Sequence, residues 1–111
     1  MILLADDEQA LCELIASELS DFNYRVLTAA NGVEAVTLFK QHAKDVRLFI
    51  TDNGMPVMSG PQAIAEIRKL RPGLPVILAS GEGGANLEDV SELAKPFELA
   101  ELLNAVSRSL K

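Results

Sequence analysis

The chain alternates short apolar runs with longer stretches in which apolar residues recur every three or four positions. Ile2 to Ala5 reads as a first strand, closed by Asp6-Asp7. Leu11, Leu14, Ile15 and Leu19 then fall at helical spacing, which predicts a first helix from about Glu8 to Ser20. Asp21-Phe22-Asn23 breaks it, and Tyr24 to Thr28 reads as a second strand. Asn31-Gly32 opens a second helix that ends near His42, with Val33, Val36 and Phe39 or Lys40 marking its faces. Val46 to Thr51 is the most apolar run and the expected central strand; Asp52 to Gly60 is a loop rich in Gly, Pro and Met. Pro61, at a first-turn position where its missing N–H costs nothing, starts a third helix through about Leu70, and Arg71-Pro72-Gly73 stops it. Pro75 to Ala79 is a fourth strand, followed by a flexible loop at Gly81-Glu82-Gly83-Gly84. Asn86 to Val90 is at most a brief fourth helix and Leu93-Ala94 a brief fifth strand. Glu98 to Leu110 closes the series as a helix with Leu99, Leu102, Leu103, Val106 and Leu110 inward.

This alternation is the signature of a βαβ series and a parallel sheet. Five strands joined by right-handed crossovers imply a flavodoxin-like, doubly wound α/β fold. Its sheet has strand order 2-1-3-4-5 and forms the centre of a three-layer α/β/α sandwich. Residues 1–111 read as a single domain, large enough to bury a core without disulfide or metal staples. In such a sheet the chemistry lies at the carboxyl ends of the strands, in the crevice between strands one and three. Those two strands end in Asp6-Asp7 and in Asp52, while Ser80 closes strand four and Lys95 follows strand five. Three carboxylates, a hydroxyl and an ammonium are thus expected along one edge.

The formal net charge of −6 counts against direct nucleic-acid binding, whose affinity comes largely from Lys and Arg on phosphates. The densest basic segment, Arg68-Lys69-Leu70-Arg71, reads as a solvated helix end. No apolar run approaches the roughly 18 residues of a membrane span, so no membrane contact is expected. The amino terminus lacks the basic flank and small-residue cleavage site of a signal peptide. A lone Cys12 excludes an internal disulfide and fits a reducing compartment; cytoplasmic localisation is the expectation.

Carboxylates brought within several ångströms of one another repel, and three together call for a cation. Mg²⁺ suits them: it is a hard ion that takes one or two carboxylates and leaves positions for water and phosphate oxygens. One histidine and one cysteine are too few for a zinc site. A carboxylate can also act as the nucleophile, forming an aspartyl phosphate. Ser80 can donate a hydrogen bond to a phosphoryl oxygen and Lys95 can supply a positive charge. Each element also has a plainer reading. Asp6-Asp7-Glu8 could simply start a helix, where acids suit the dipole. Ser80 could be a strand-end residue, Lys95-Pro96 a surface turn, and Asp52 the cap of an Asx turn over Asn53-Gly54. Cys12 reads as an inert residue at the core edge, His42 as a surface residue, and Met55 and Met58 as packing for their loop. Gly81-Glu82-Gly83-Gly84 is not a phosphate-binding P-loop, because no Gly-Lys-Ser/Thr follows.

Five segments in order, each at a strand or helix end, carry a family resemblance. They are Leu4-Ala5-Asp6-Asp7-Glu8, Asn31-Gly32, Asp52-Asn53-Gly54-Met55-Pro56 with Met58-Ser59-Gly60, Ala79-Ser80-Gly81, and Lys95-Pro96-Phe97. Along essentially its whole length the chain resembles the receiver domains of two-component response regulators, and its wording looks most like receivers of hybrid sensor kinases. The resemblance implies that Asp52 accepts a phosphoryl group from a phosphohistidine, on a sensor histidine kinase or a histidine phosphotransfer domain. It implies that Asp7 binds Mg²⁺ directly, Asp6 largely through water, and the Gly54 backbone carbonyl as a third protein ligand. It makes Ser80 the hydroxyl that moves toward the phosphoryl group and Lys95 the partner of Asp52 or its phosphate, with Pro96 in a peptide that family members often hold cis. Helix one and the loops near Asp52 would dock the partner, with Leu11, Leu14 and Ile15 as contacts. Such a domain catalyses only its own phosphorylation and dephosphorylation and is otherwise no enzyme.

The chain departs from the pattern at Glu92, where many receivers carry an aromatic three positions before the lysine, and in the short stretch from Ser80 to Lys95. Tyr24, the chain's one tyrosine, is expected on strand two and cannot substitute. A second reading is therefore a receiver-like interaction module that binds a partner without being phosphorylated. A third, a phosphatase with an aspartyl nucleophile, would want a carboxylate where Gly54 stands.

Overall fold

Successive strand residues point to opposite faces of a sheet, and the apolar runs of this chain are long enough to bury both faces. The computed structural model describes residues 1–80, 90–95 and 97–110. Its elements are β1 (Ile2–Ala5), α1 (Gln9–Asp21), β2 (Val26–Ala29), α2 (Gly32–His42), β3 (Leu48–Asp52), α3 (Gly60–Leu70), β4 (Val76–Ser80), β5 (Val90–Ala94) and α4 (Leu99–Ser109). All pairings are parallel, in the order β2-β1-β3-β4-β5. The doubly wound sheet expected from the sequence is the observed one.

Two cores follow from the alternation. Leu3, Ala5, Phe49, Val76 and Leu78 face α2 and α3, packing with Ala35, Phe39, Ala63, Ile64 and Ile67. Ile2, Leu4, Leu48, Ile50 and Ile77 face α1 and α4, packing with Cys12, Ile15, Leu19, Leu102, Ala105 and Val106. Each helix starts where its sequence allows. Asn31 caps α2 by accepting from the Glu34 N–H, and Ser59 and Gln62 close a reciprocal capping box on α3, with Pro61 in its first turn.

Several boundaries differ from expectation, each for a physical reason. The expected second strand begins two residues late, because the Tyr24 N–H donates to the Leu19 carbonyl at the end of α1 and the ladder opens only at Ile2↔Val26. Tyr24 therefore precedes β2, although it still packs on the core. β5 is longer than Leu93-Ala94: Val90, Ser91 and Glu92 also pair with Val76, Ile77 and Leu78. It is an edge strand whose side chains are mostly exposed, so its sequence carries no apolar run. Val90 thus belongs to a strand rather than to a brief helix, and residues 86–89 of that expected helix lie outside the described residues. On α2 the inward face is Gly32, Ala35 and Phe39, leaving Val33 exposed. On α4, Leu102 and Val106 are buried as expected, but Leu99 opens the helix exposed, and Leu103 and Leu110 are half-buried.

Candidate functional site

Register places the carboxylates. Ala5 pairs with Thr51, so Asp6 and Asp52 follow side by side at the carboxyl edge of the two central strands. Asp6 is held tightly: its N–H donates to the Ala29 carbonyl at 3.0 Å, and its Oδ1 accepts the Glu8 N–H at 2.9 Å. Asp7 stands exposed beside it. Asp6, Asp7 and Asp52 each offer a carboxylate oxygen, and these oxygens all lie within 4.8 Å of one another. From the far side of the sheet Lys95, one residue beyond β5, sends its Nζ to 2.9 Å from Asp52 Oδ1 and 3.5 Å from Asp6 Oδ2.

The electrostatics follow from burial. Asp6 is 5% exposed, and desolvation holds its carboxyl above the ordinary range; Asp52 adds to this, while the Glu8 N–H and Lys95 oppose it. Burial by itself would lower the pKa of Lys95, but its hydrogen bond to Asp52 and the fields of Asp6 and Asp52 outweigh that, and the net shift is upward. Lys95 is therefore a fixed positive charge paired with two of the three acids, Asp52 and Asp6. One ammonium does not neutralise three carboxylates, and the hard oxygen donors converging here fit a hard divalent cation such as Mg²⁺. Cys12, buried beneath Asp6, is no competing nucleophile: burial, reinforced by the nearby carboxylates, pushes its thiol up to about 11.

The loop after Asp52 is shaped by close approaches. The Asn53 N–H donates to the Ala79 carbonyl at 2.9 Å, extending the ladder one residue past the nucleophile candidate. Gly54 sits exposed, two residues past Asp52. The Gly60 N–H donates to the Asn53 carbonyl at 3.0 Å, and a Cβ at Gly60 would overlap the Asp52 carbonyl oxygen. Thr51 is fully buried and donates its hydroxyl to that same carbonyl at 3.0 Å. Asp52, Asp6, Asp7 and Lys95 are thus brought together as the sequence led us to expect. Ser80 ends β4 in register with Ala94, one residue before Lys95; its hydroxyl and the peptide at Pro96 lie outside what the structure describes. Thr51 was not legible as a site residue, and Gly60 stood out only within the Met58-Ser59-Gly60 segment of the resemblance, with no role attached. That segment, followed by Pro61 at the helix start, does not reveal which carbonyl the glycine must clear.

Of the expected docking residues on α1, Leu14 is 57% exposed and Leu11 half-buried, but Ile15 is 6% exposed and belongs to the core. Glu92 is exposed on β5, opposite Leu78. No helix among the described residues is long and apolar enough to cross a membrane.

Comparison with known proteins agrees with this geometry. The profile of the response regulator receiver domain matches residues 2–107. The chain is 34% identical over 117 residues to the transcriptional regulatory protein GlrR of Escherichia coli K12, covering 99% of this chain and 26% of that protein. It is 32% identical over 117 residues to the sensor kinase CckA of Brucella abortus, covering 99% of this chain and 12% of that one. The chain therefore spans about a quarter and about an eighth of the length of these relatives. The crystal structure of the receiver domain from the hybrid histidine kinase CckA superposes with a TM-score of 0.90 at 32% identity, covering 99% of this chain and 98% of that one. An acid cluster at the carboxyl edge of a 2-1-3-4-5 sheet, faced by a lysine, thus goes with close kinship in sequence and in fold: the chain belongs to the response regulator receiver domain family.

Proposed function

We propose that residues 1–111 act as one phosphorylatable receiver domain of a two-component phosphorelay, with Asp52 as phosphoacceptor. The observation that carries this reading is the contact of Lys95 Nζ with Asp52 Oδ1 at 2.9 Å, inside a cluster whose three carboxylates offer oxygens within 4.8 Å of each other. An Asp52 oxygen attacks the phosphorus of a phosphohistidine on a sensor kinase or a histidine phosphotransfer domain. The new O–P bond forms as the P–N bond breaks, and the electron pair leaves with the imidazole, which takes a proton from water. Asp6, Asp7, Asp52 and the Gly54 carbonyl would hold Mg²⁺, which when bound would neutralise charge on the carboxylates and the incoming phosphoryl oxygens. Lys95 holds Asp52 in place before transfer and pairs with the phosphoryl group after it; Ser80 donates its hydroxyl to a phosphoryl oxygen. The domain catalyses its own phosphorylation and dephosphorylation and nothing else.

The partner docks over α1, where Leu14 and Leu11 offer apolar surface beside the acid site. The family's presence in both sensor kinases and regulators, and the kinship with CckA, support a histidine-bearing partner; the lone Cys12 fits a reducing, cytoplasmic setting. With Glu92 exposed where many receivers carry an aromatic, the phosphorylated state is read through other side chains. That same exposed Glu92 is what favours the second reading, an interaction module that needs no phosphorylation.

The two readings part in one experiment. Incubation with phosphoramidate and Mg²⁺ is expected to add a single phosphoryl group by intact mass. The adduct is expected to vanish in Asp52→Asn and on chelation of the metal. An unchanged mass in the parent protein rejects the phosphoacceptor reading and leaves the interaction module.

A further inference from the structure

Val57 stands in the left-handed region at φ 68° and is 82% exposed. The Met58 N–H donates to the Pro56 carbonyl at 2.7 Å, so Val57 is the centre of a three-residue γ-turn of the strained, positive-φ kind. A β-branched residue is the worst suited to that conformation, and glycine would adopt it freely. Burial does not offset the strain, because Val57 has almost none. The turn is held from its two sides. The Met58 carbonyl accepts the Gly32 N–H at 3.2 Å, across to the first residue of α2. A Cβ at Gly32 would come to 2.5 Å from that carbonyl oxygen and 2.7 Å from the Met58 Cβ, so only glycine lets α2 close on the loop. At the loop's ends the Asn53 N–H donates to the Ala79 carbonyl and the Gly60 N–H to the Asn53 carbonyl. Residues 53–60 are thus pinned at three points, with the strain concentrated at one residue between them.

We propose that this turn is a strained latch on the acid site. Val57 raises the free energy of the closed loop, so that Met58 parts from Gly32 in a minor open state. A cation at the acid cluster favours the closed state, because Gly54, three residues before Val57, contributes its carbonyl only there. Metal binding and latch closure are then coupled, and each strengthens the other to the same degree. The coupling rests on Gly54 as a metal ligand, as proposed above; the latch itself does not.

The test compares the parent protein with Val57→Gly and Val57→Ala, the second keeping a Cβ in the left-handed turn. Amide exchange at Gly32 in cation-free buffer reads the latch, the same exchange at saturating Mg²⁺ reads the coupling, and Mg²⁺ titration of the cation-free protein reads metal binding itself. Val57→Gly is expected to slow Gly32 exchange more than that of core amides such as Phe49. With the parent already mostly closed, Mg²⁺ affinity should rise less than about twofold in Val57→Gly, whereas saturating Mg²⁺ is expected to slow Gly32 exchange in the parent more than that of Phe49. Gly32 exchange that tracks Phe49 in all three proteins overturns the latch. Gly32 exchange that saturating Mg²⁺ slows no more than Phe49 exchange overturns the coupling. A parent protein that binds no Mg²⁺ overturns the metal reading and with it the coupling, while Gly32 exchange still decides the latch.

Discussion

At Asp6 the fold keeps a carboxylate where it is least comfortable, 5% exposed and within reach of two other acids. Its carboxyl is held above the ordinary range, chiefly by burial. A group whose folded-state pKa is raised stabilises the fold while protonated. That contribution is complete below the unfolded-state value and is lost as pH rises through the folded-state value. At neutral pH without a cation, ionised Asp6 therefore costs stability. Asp6→Asn keeps an acceptor for the Glu8 N–H and removes the charge. Thermal melts in cation-free buffer are expected to show a higher Tm for this variant at neutral pH, the gain closing as pH falls below the carboxylate range. In Mg²⁺ the order should reverse, because the variant lacks one of the proposed ligands. A lower Tm at neutral pH without cation would mean that the contact with Lys95 outweighs desolvation. Asp6, Asp7, Asp52 and Lys95 were readable from sequence because each is a charged residue closing an apolar run. Thr51 was not, because a threonine inside such a run reads as an ordinary strand residue, and nothing in the sequence reveals that its hydroxyl meets the Asp52 carbonyl.

The junction between β3 and α3 is the element on which the site depends most. Ser59 and Gln62 satisfy the free N–H groups that open α3, and Gly60 lets that first turn lie against the Asp52 carbonyl. Gly60→Ala would gain about 1 kcal/mol of helix propensity, but its Cβ has no room, and displacing strand backbone costs about 1–3 kcal/mol. We expect the overlap to win: urea denaturation should show a net loss of stability, and phosphorylation should slow because Asp52 shifts with its carbonyl. A variant as stable and as reactive as the parent would show that the junction yields without consequence. The same contrast between local signal and tertiary requirement separates what was legible from what was not. β1, β3 and β4 are buried on both faces and stand out as apolar runs. β5 lies at the sheet edge with Ser91 and Glu92 exposed, so only its last two residues carried a signal. The left-handed Val57 breaks a local rule outright, and no sequence pattern could have placed it.

For the molecule as a whole, two apolar layers clamp one sheet, and the site sits where the sheet's edge emerges between them. Phe39 is fully buried at the centre of the α2 and α3 layer, away from the acids. Phe39→Ala is expected to cost about 3–5 kcal/mol by denaturant titration, while phosphorylation at low temperature persists in the folded fraction. If that fraction could not be phosphorylated, the site would depend on the packing of this layer and not on register alone. The fold order and the converging acids were legible because parallel topology turns strand ends into neighbours; the sense in which a phosphorylated state is read, with Glu92 on β5, was not. The central claim is that Asp52 itself carries the phosphoryl group, and borohydride trapping with peptide mapping tests it most directly. Reduction of an acyl phosphate leaves homoserine in place of the aspartate. After treatment with phosphoramidate and Mg²⁺, residue 52 should be recovered as homoserine and residues 6 and 7 as aspartate. Homoserine at position 6 or 7, or none at all, would contradict the account.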